Sequence, residues 1–156
     1  TTIIKADINL CFDLSRSIDL HKISTSDTNE VAIDGTTSGL IEKGEFVTWE
    51  AVHFGIKQQL TSKITELDAP YFFKDVQTKG VFKKIVHEHR FHDNGSAVEM
   101  VDVFAFEAPL GILGKIAEVL FLRRYLKNLL MKRNQVIKSY AETGKWKEVI
   151  SEKRYL

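Results

Sequence analysis

Three residues on two adjacent stretches of this 156-residue chain carry side chains able to move protons. They are His87 and His89, two apart in His87-Glu88-His89-Arg90-Phe91, and Asp102. Imidazole titrates nearest neutrality of all side chains, and a neighbouring carboxylate fixes its tautomer and favours its cation. Between them lies Asn94-Gly95; Asn-Gly flanked by alternating apolar residues is the strongest short hairpin signal. A two-residue turn there sets Asp93 opposite Ser96. Phe91 then faces Val98, His89 faces Met100, His87 faces Asp102 and Ile85 faces Phe104. Directly opposed side chains have Cβ atoms about 4.5–5.5 Å apart, within hydrogen-bond reach. His87 with Asp102 is therefore a candidate general acid or base, or a polar anchor for a ligand carbonyl or hydroxyl. A satisfied pair that only closes the hairpin fits the same pattern.

Other reactive types fit less chemistry. His53 with His87 and His89 would make a three-histidine set of the kind that holds zinc. Three strands separate His53 from the His87 strand, about 14 Å at about 4.8 Å per strand, so no metal is assigned. Cys11, the one cysteine, recurs with Leu14 and Ile18 at i, i+3, i+7, which reads as a buried structural thiol. His21 lies in a polar stretch and reads as surface. No phosphate-cradling glycine loop, serine elbow or zinc-ligand cysteine pair is present, so no cofactor is assigned.

The elements that must position these groups follow from periodicity. From Glu30 short alternating runs predict strands over Glu30–Ser38, Glu45–Phe54, Ile56–Leu67, Tyr71–Lys79, Phe82–His92 and Ala97–Ala108. The breaks between them are too short for helical crossovers, so the sheet is expected to be an antiparallel meander. Thr1–Lys5 predicts an edge strand. Asp7 is an N-cap for a short helix, and a second short helical turn covers Ser17–His21. After Pro109 and Gly111 a long helix runs from about Ile112 to Ala141. Ile112, Ile116, Val119, Leu126, Leu130, Ile137 and Tyr140 form its apolar stripe, and its length is about 45 Å. Gly144 ends it, leaving residues 144–156 as a loosely attached tail on a single domain of residues 1–143.

A six-strand sheet needs cover on its apolar face, and the last helix is the one large cover available. The fold class is therefore α+β, and a twisted sheet wrapped on one helix leaves a cavity. Alternation points Val47, Trp49, Ala51 and His53 inward, with Ile56, Gln58, Leu60, Ser62 and Ile64. In Tyr71–Lys79 the faces Tyr71/Phe73/Asp75/Gln77 and Phe72/Lys74/Val76/Thr78 both mix polar and apolar residues, and the first is set inward because Lys74 prefers water. Phe82, after Gly80, is placed as a gate. The expected ligand-binding set is Trp49, His53, Leu60, Phe73, Phe82, Ile85, His87, His89, Met100, Asp102, Phe104, Ile116 and Leu120. Such a wall, apolar with few polar groups, suits a small-molecule site.

Composition agrees. Apolar residues are 44% and charged residues 28%, with two prolines and nine glycines, which excludes disordered and collagenous classes. A net charge of +1 provides no overall field for nucleic acid. The apolar stretch Pro109–Leu122 is broken by Lys115 and Glu118, so neither stable membrane insertion nor a signal segment is read, and a cytoplasmic location is expected. Residues 113–138 hold seven basic residues and one acidic residue. That segment reads as a solvated helix face docked on its own acidic domain, with an anionic surface as the alternative.

The order of elements resembles the helix-grip fold of the START-like, or SRPBCC, superfamily over residues 1 to about 143. Ile18-Asp19-Leu20-His21-Lys22, Thr37-Ser38-Gly39-Leu40-Ile41, Phe54-Gly55-Ile56, Phe82–Phe91 and Pro109-Leu110-Gly111-Ile112-Leu113-Gly114 are similar to its bacterial cyclase/dehydrase-like branch. The resemblance implies a deep hydrophobic cavity for a lipid, polyketide or aromatic-like ligand, with a minority of members being enzymes. Binding of a small hydrophobic molecule is the leading expectation. A cyclase, dehydratase or isomerase using His87 or His89 with Asp102 is the rival. An interaction module using the basic helix is the third.

Overall fold

The alternating stretches become strands in the computed structural model, which describes residues 1–108, 116–151, 154 and 155. Strand β1 (Thr2–Ile4) leads into helices α1 (Ile8–Ser15) and α2 (Ile18–Ser24). Strands β2 (Val31–Gly35), β3 (Phe46–His53), β4 (Ile56–Asp68), β5 (Phe72–Lys79), β6 (Lys84–Asp93) and β7 (Val98–Glu107) follow, then helix α3 (Ile116–Thr143). One antiparallel sheet has the order β1-β7-β6-β5-β4-β3-β2. This is the expected α+β helix-grip layout.

Local chemistry sets the ends of these elements. The Asp7 carboxylate accepts from the backbone N–H of Asn9 at 2.8 Å and of Leu10 at 3.3 Å, starting α1. The Ser17 hydroxyl accepts from Leu20 N–H at 3.2 Å, starting α2. Strand β2 stops at Gly35, short of the expected Ser38. There φ is +76°, and an added Cβ would lie 2.2 Å from the Phe46 carbonyl oxygen, so only glycine fits. The expected beginning of the last helix, residues 112–115, lies outside the described residues.

The β6–β7 hairpin departs from the expected register by two residues. Asp93 pairs with Val98, and Asn94 N–H donates to Ala97 O at 3.0 Å, so the connection has four residues. The Asp93 carboxylate accepts from Gly95 N–H at 2.8 Å, a local side-chain-to-backbone bond within the wider turn. His87 therefore faces Phe104, His89 faces Asp102, Phe91 faces Met100 and Ile85 faces Phe106. A two-residue slip preserves the faces, because side chains alternate with period two.

The packed core gathers where α1, β1, β6, β7 and the end of α3 meet, around Phe12, Leu14, Phe91, Met100 and Ile137. Phe12 meets Phe73 and Phe91 edge-on, with ring centroids 5.6 and 5.5 Å apart. Cys11 is fully buried here, as expected, and burial pushes its thiol up to about 12. The described residues after α3 pack onto the domain. Ile150 is buried in the core, Trp146 packs edge-on against Tyr155, and Arg154 and Tyr155 both bind the buried Asp13. Asp13 also pairs with Arg16 at 2.8 Å. On α3, Arg123, Arg124 and Lys127 are exposed as expected and Lys132 pairs with Asp27, but Arg133 is buried. No helix among the described residues is long and apolar enough to cross a membrane.

Candidate functional site

The last turns of α3 sit in the core, whereas its middle stands off the sheet. A hollow of about 230 Å³ remains between them. Strands β3 and β4 supply Val47, Trp49, Ala51, His53, Gln58, Leu60, Ser62 and Ile64 to its wall, on the faces that alternation predicts. Strands β5 to β7 add Phe73, Asp75, Ile85, His87, His89 and Phe104. Leu126, Leu129, Leu130 and Arg133 of α3 form the opposite side, and Val81 and Phe82 close one end. Phe82 lies in the loop before β6, its carbonyl held by Gln77 Nε2 at 2.7 Å and its ring 5.7 Å from Phe106.

One polar cluster occupies the β5–β6 wall. His87 Nε2 donates to Asp102 Oδ1 at 2.8 Å, and His89 Nδ1 lies 3.0 Å from the same oxygen, off the line of a hydrogen bond. The opposite ring nitrogens turn to Asp75. His89 Nε2 is 3.1 Å from Asp75 Oδ2, and His87 Nδ1 is 3.8 Å from it. Asn134 Nδ2 donates to Asp102 Oδ2 at 2.6 Å. Arg133 Nη2 donates to Ser15 O at 2.6 Å and leaves Nη1 3.8 Å from Asp102. Phe73 stacks on His89, with centroids 4.0 Å apart. The expected His87–Asp102 contact thus forms diagonally rather than directly across the strands.

Burial decides the charges. It pushes His87 down to about 4, with the neighbouring His89 adding to the effect and Asp102 opposing it. His87 is therefore neutral near pH 7. Because a carboxylate can only accept, its proton sits on Nε2 and its Nδ1 lone pair faces Asp75 and the hollow. Burial alone would raise Asp102, but the hydrogen bond from His87, with His89 and Arg133 close by, outweighs it and holds the carboxyl far below its usual range. Asp75 is lowered by the same balance, against burial, through the His89 hydrogen bond and the charges around it.

A second polar group sits at the α2–β3 end. His21 stacks on Trp49, with centroids 4.2 Å apart, and its Nε2 is 3.5 Å from Glu30 Oε2. His53 Nδ1 is 2.8 Å from Tyr125 Oη. Burial would raise Glu30, but His21 outweighs it and lowers the carboxyl. His21 therefore belongs to the wall, contrary to its surface placement by polarity. It follows the buried Ile18 by three residues and so shares its helix face.

Of the expected site residues, Trp49, His53, Leu60, Phe73, Phe82, Ile85, His87, His89 and Phe104 line the hollow, and Asp102 stands behind the imidazoles. Met100 does not line it. The register slip moves it opposite Phe91, where it is fully buried and accepts from Ser15 Oγ at 3.4 Å. Leu120 is 57% exposed; six residues from Leu126, it lies about 240° around the helix from the wall-facing stripe. The side chain of Ile116 lies outside the described residues. Sequence reasoning placed neither Arg133 nor Glu30 in the wall. Arg133 was detectable, since Leu126, Leu130, Arg133 and Ile137 recur at helical spacing.

No family model and no curated protein matches the chain. Solved structures do, and they share its fold, a helix-grip α+β layout. The crystal structure of TTHA0849 from Thermus thermophilus superposes with a TM-score of 0.68 at 16% identity, over 90% of this chain and 96% of that one. Ara h 8.0201 gives 0.63 at 12% identity, over 90% and 93%. The major latex-like protein 151 of Panax ginseng gives 0.62 at 16% identity, also over 90% and 93%. At such identities the shared property is the fold, as the sequence resemblance implied.

Proposed function

We propose that this protein binds a small, largely apolar molecule in the hollow between the sheet and α3. One observation carries the reading. The sheet and the middle of α3 stand apart, and the space they leave is walled by aliphatic and aromatic side chains, with polar groups gathered at two stations. At about 230 Å³ the space falls just below the roughly 300–1,000 Å³ of ordinary small-molecule sites, which suits a guest of one or two rings or a short chain. Asp75 and His87 offer acceptors and His53 with Tyr125 a second polar contact, so a guest with a hydroxyl or carbonyl at either end would be oriented. The fold supports this reading by analogy only. The test is native mass spectrometry of protein purified from its own host, combined with Trp49 fluorescence in a Trp146→Phe background. A co-purifying guest whose removal changes Trp49 emission supports the proposal. A protein that carries no guest, and whose Trp49 emission ignores apolar probes, refutes it.

Turnover is the second reading, favoured by the free Nδ1 of His87 with its other nitrogen held by Asp102. That arrangement suits a general base in a cyclisation, dehydration or isomerisation. If His87→Gln and Asp102→Asn each leave conversion of a polyketide-like substrate unchanged, the enzyme reading fails.

A further inference from the structure

We infer that Asp75, His87 and His89 form a site for one divalent transition-metal ion, open toward the hollow and backed by Asp102. A ring nitrogen from each histidine and an oxygen of Asp75 all lie within 4.8 Å of one another. Asp75 Oδ2 is already 3.1 Å from His89 Nε2 and 3.8 Å from His87 Nδ1. Around an ion with bonds of about 2.0–2.2 Å, neighbouring donors stand roughly 3–3.5 Å apart, so closure takes side-chain shifts of less than about 1 Å.

The groups behind these donors match what a metal site requires. A metal-bound imidazole hands its other N–H to a carboxylate, which fixes the ring and raises its basicity. Here one oxygen of Asp102 receives His87 Nε2 at 2.8 Å and lies 3.0 Å from His89 Nδ1, while Asn134 holds its other oxygen at 2.6 Å. All three prospective ligands line the hollow, whereas Asp102 does not. Both rings thus turn one nitrogen to Asp102 and the other to Asp75.

The cluster is also incompletely satisfied as it stands: Arg133 Nη1 and His89 Nδ1 are buried without a hydrogen bond. Two imidazoles and one carboxylate suit Zn²⁺, Co²⁺ or Fe²⁺ rather than Mg²⁺ or Ca²⁺, which prefer oxygen donors, and three protein ligands leave a position free toward the hollow. The three-histidine set fails because His53 is bound to Tyr125; Asp75 takes the third place. This site goes beyond the guest-binding reading and stands or falls without it.

The test uses the full chain, stripped with a chelator, desalted, and titrated separately with ZnCl₂ and CoCl₂. We expect one ion per chain at micromolar ion, with the intense visible bands of four- or five-coordinate Co²⁺. Asp75→Asn should weaken binding at least about tenfold, and Asp102→Asn by about 10–100-fold. His92→Gln, exposed on the same strand, should leave affinity unchanged. A readout free of variants is the NMR of the five histidine rings. Zn²⁺ should shift His87 and His89 and leave His21, His53 and His92 in place. No uptake at millimolar ion, or uptake with His87 and His89 unmoved, overturns the proposal.

Discussion

Filling the hollow should make the protein more stable and a worse binder, and Ala51→Leu is the substitution that separates these effects. Ala51 lies on the inner face of β3 between Trp49 and His53, is 5% exposed, and lines the hollow. Leucine adds three carbons at that point. At about 0.8 kcal/mol for each buried methylene, the gain is about 2 kcal/mol. For a domain of this length each kcal/mol moves Tm by about 2–4 °C, so the rise is about 4–8 °C. The same carbons remove room for three or four guest atoms. At about 0.3–1.5 kcal/mol per ligand atom, affinity falls about fivefold or more. Thermal unfolding by circular dichroism gives the first quantity. Titration with an environment-sensitive apolar fluorophore gives the second. The reasoning is refuted if Tm falls while probe affinity holds. Overpacking of an already filled interior, which costs about 1–3 kcal/mol, gives that pattern.

Burial pushes Cys11 up to about 12 from 9.0, which lowers its thiolate fraction about a thousandfold below pH 9; an aromatic disulfide reagent should therefore release no chromophore until denaturant opens the core. Glu30 has a lowered carboxyl pKa, so its contribution to stability is complete above 4.5, its unperturbed value, and is lost as pH falls below that through the folded-state value. Urea midpoints of wild type and Glu30→Gln should accordingly differ above pH 4.5 and converge in acid. Tyr155→Phe removes a 2.6 Å hydrogen bond to the buried Asp13 and should cost about 1.5–3 kcal/mol in chemical unfolding. No change there would show that the C-terminal segment is not held as described.

The faces of the strands were legible because side-chain alternation is strict and Trp49, Leu60, Ile85 and His87 have obvious inward neighbours. The hairpin register was not, since Asn94-Gly95 signals a two-residue turn whereas the connection has four residues, with Gly95 N–H held by the Asp93 carboxylate. The His87–Asp102 contact survived because long side chains also reach diagonal partners. Asp75 lay on a strand whose two faces both mix polar and apolar residues. Only the placement of β5 beside β6 reveals what its carboxylate meets. His21 and Arg133 escaped because polarity was weighed over position, although each falls on an apolar helical stripe. Leu120 shows the converse error: an apolar residue assigned to the wall off the stripe.

Leu60, Phe82, Ile85, Phe104, Leu126, Leu129 and Leu130 line the hollow yet lie outside the main packed cluster around Phe12, Phe91 and Ile137. Selection can therefore trade these seven side chains to suit a new guest while the residues that specify the chain's topology stay put. A scaffold partitioned in this way lets lineages diverge in specificity and drift far apart in sequence without abandoning a shared backbone shape.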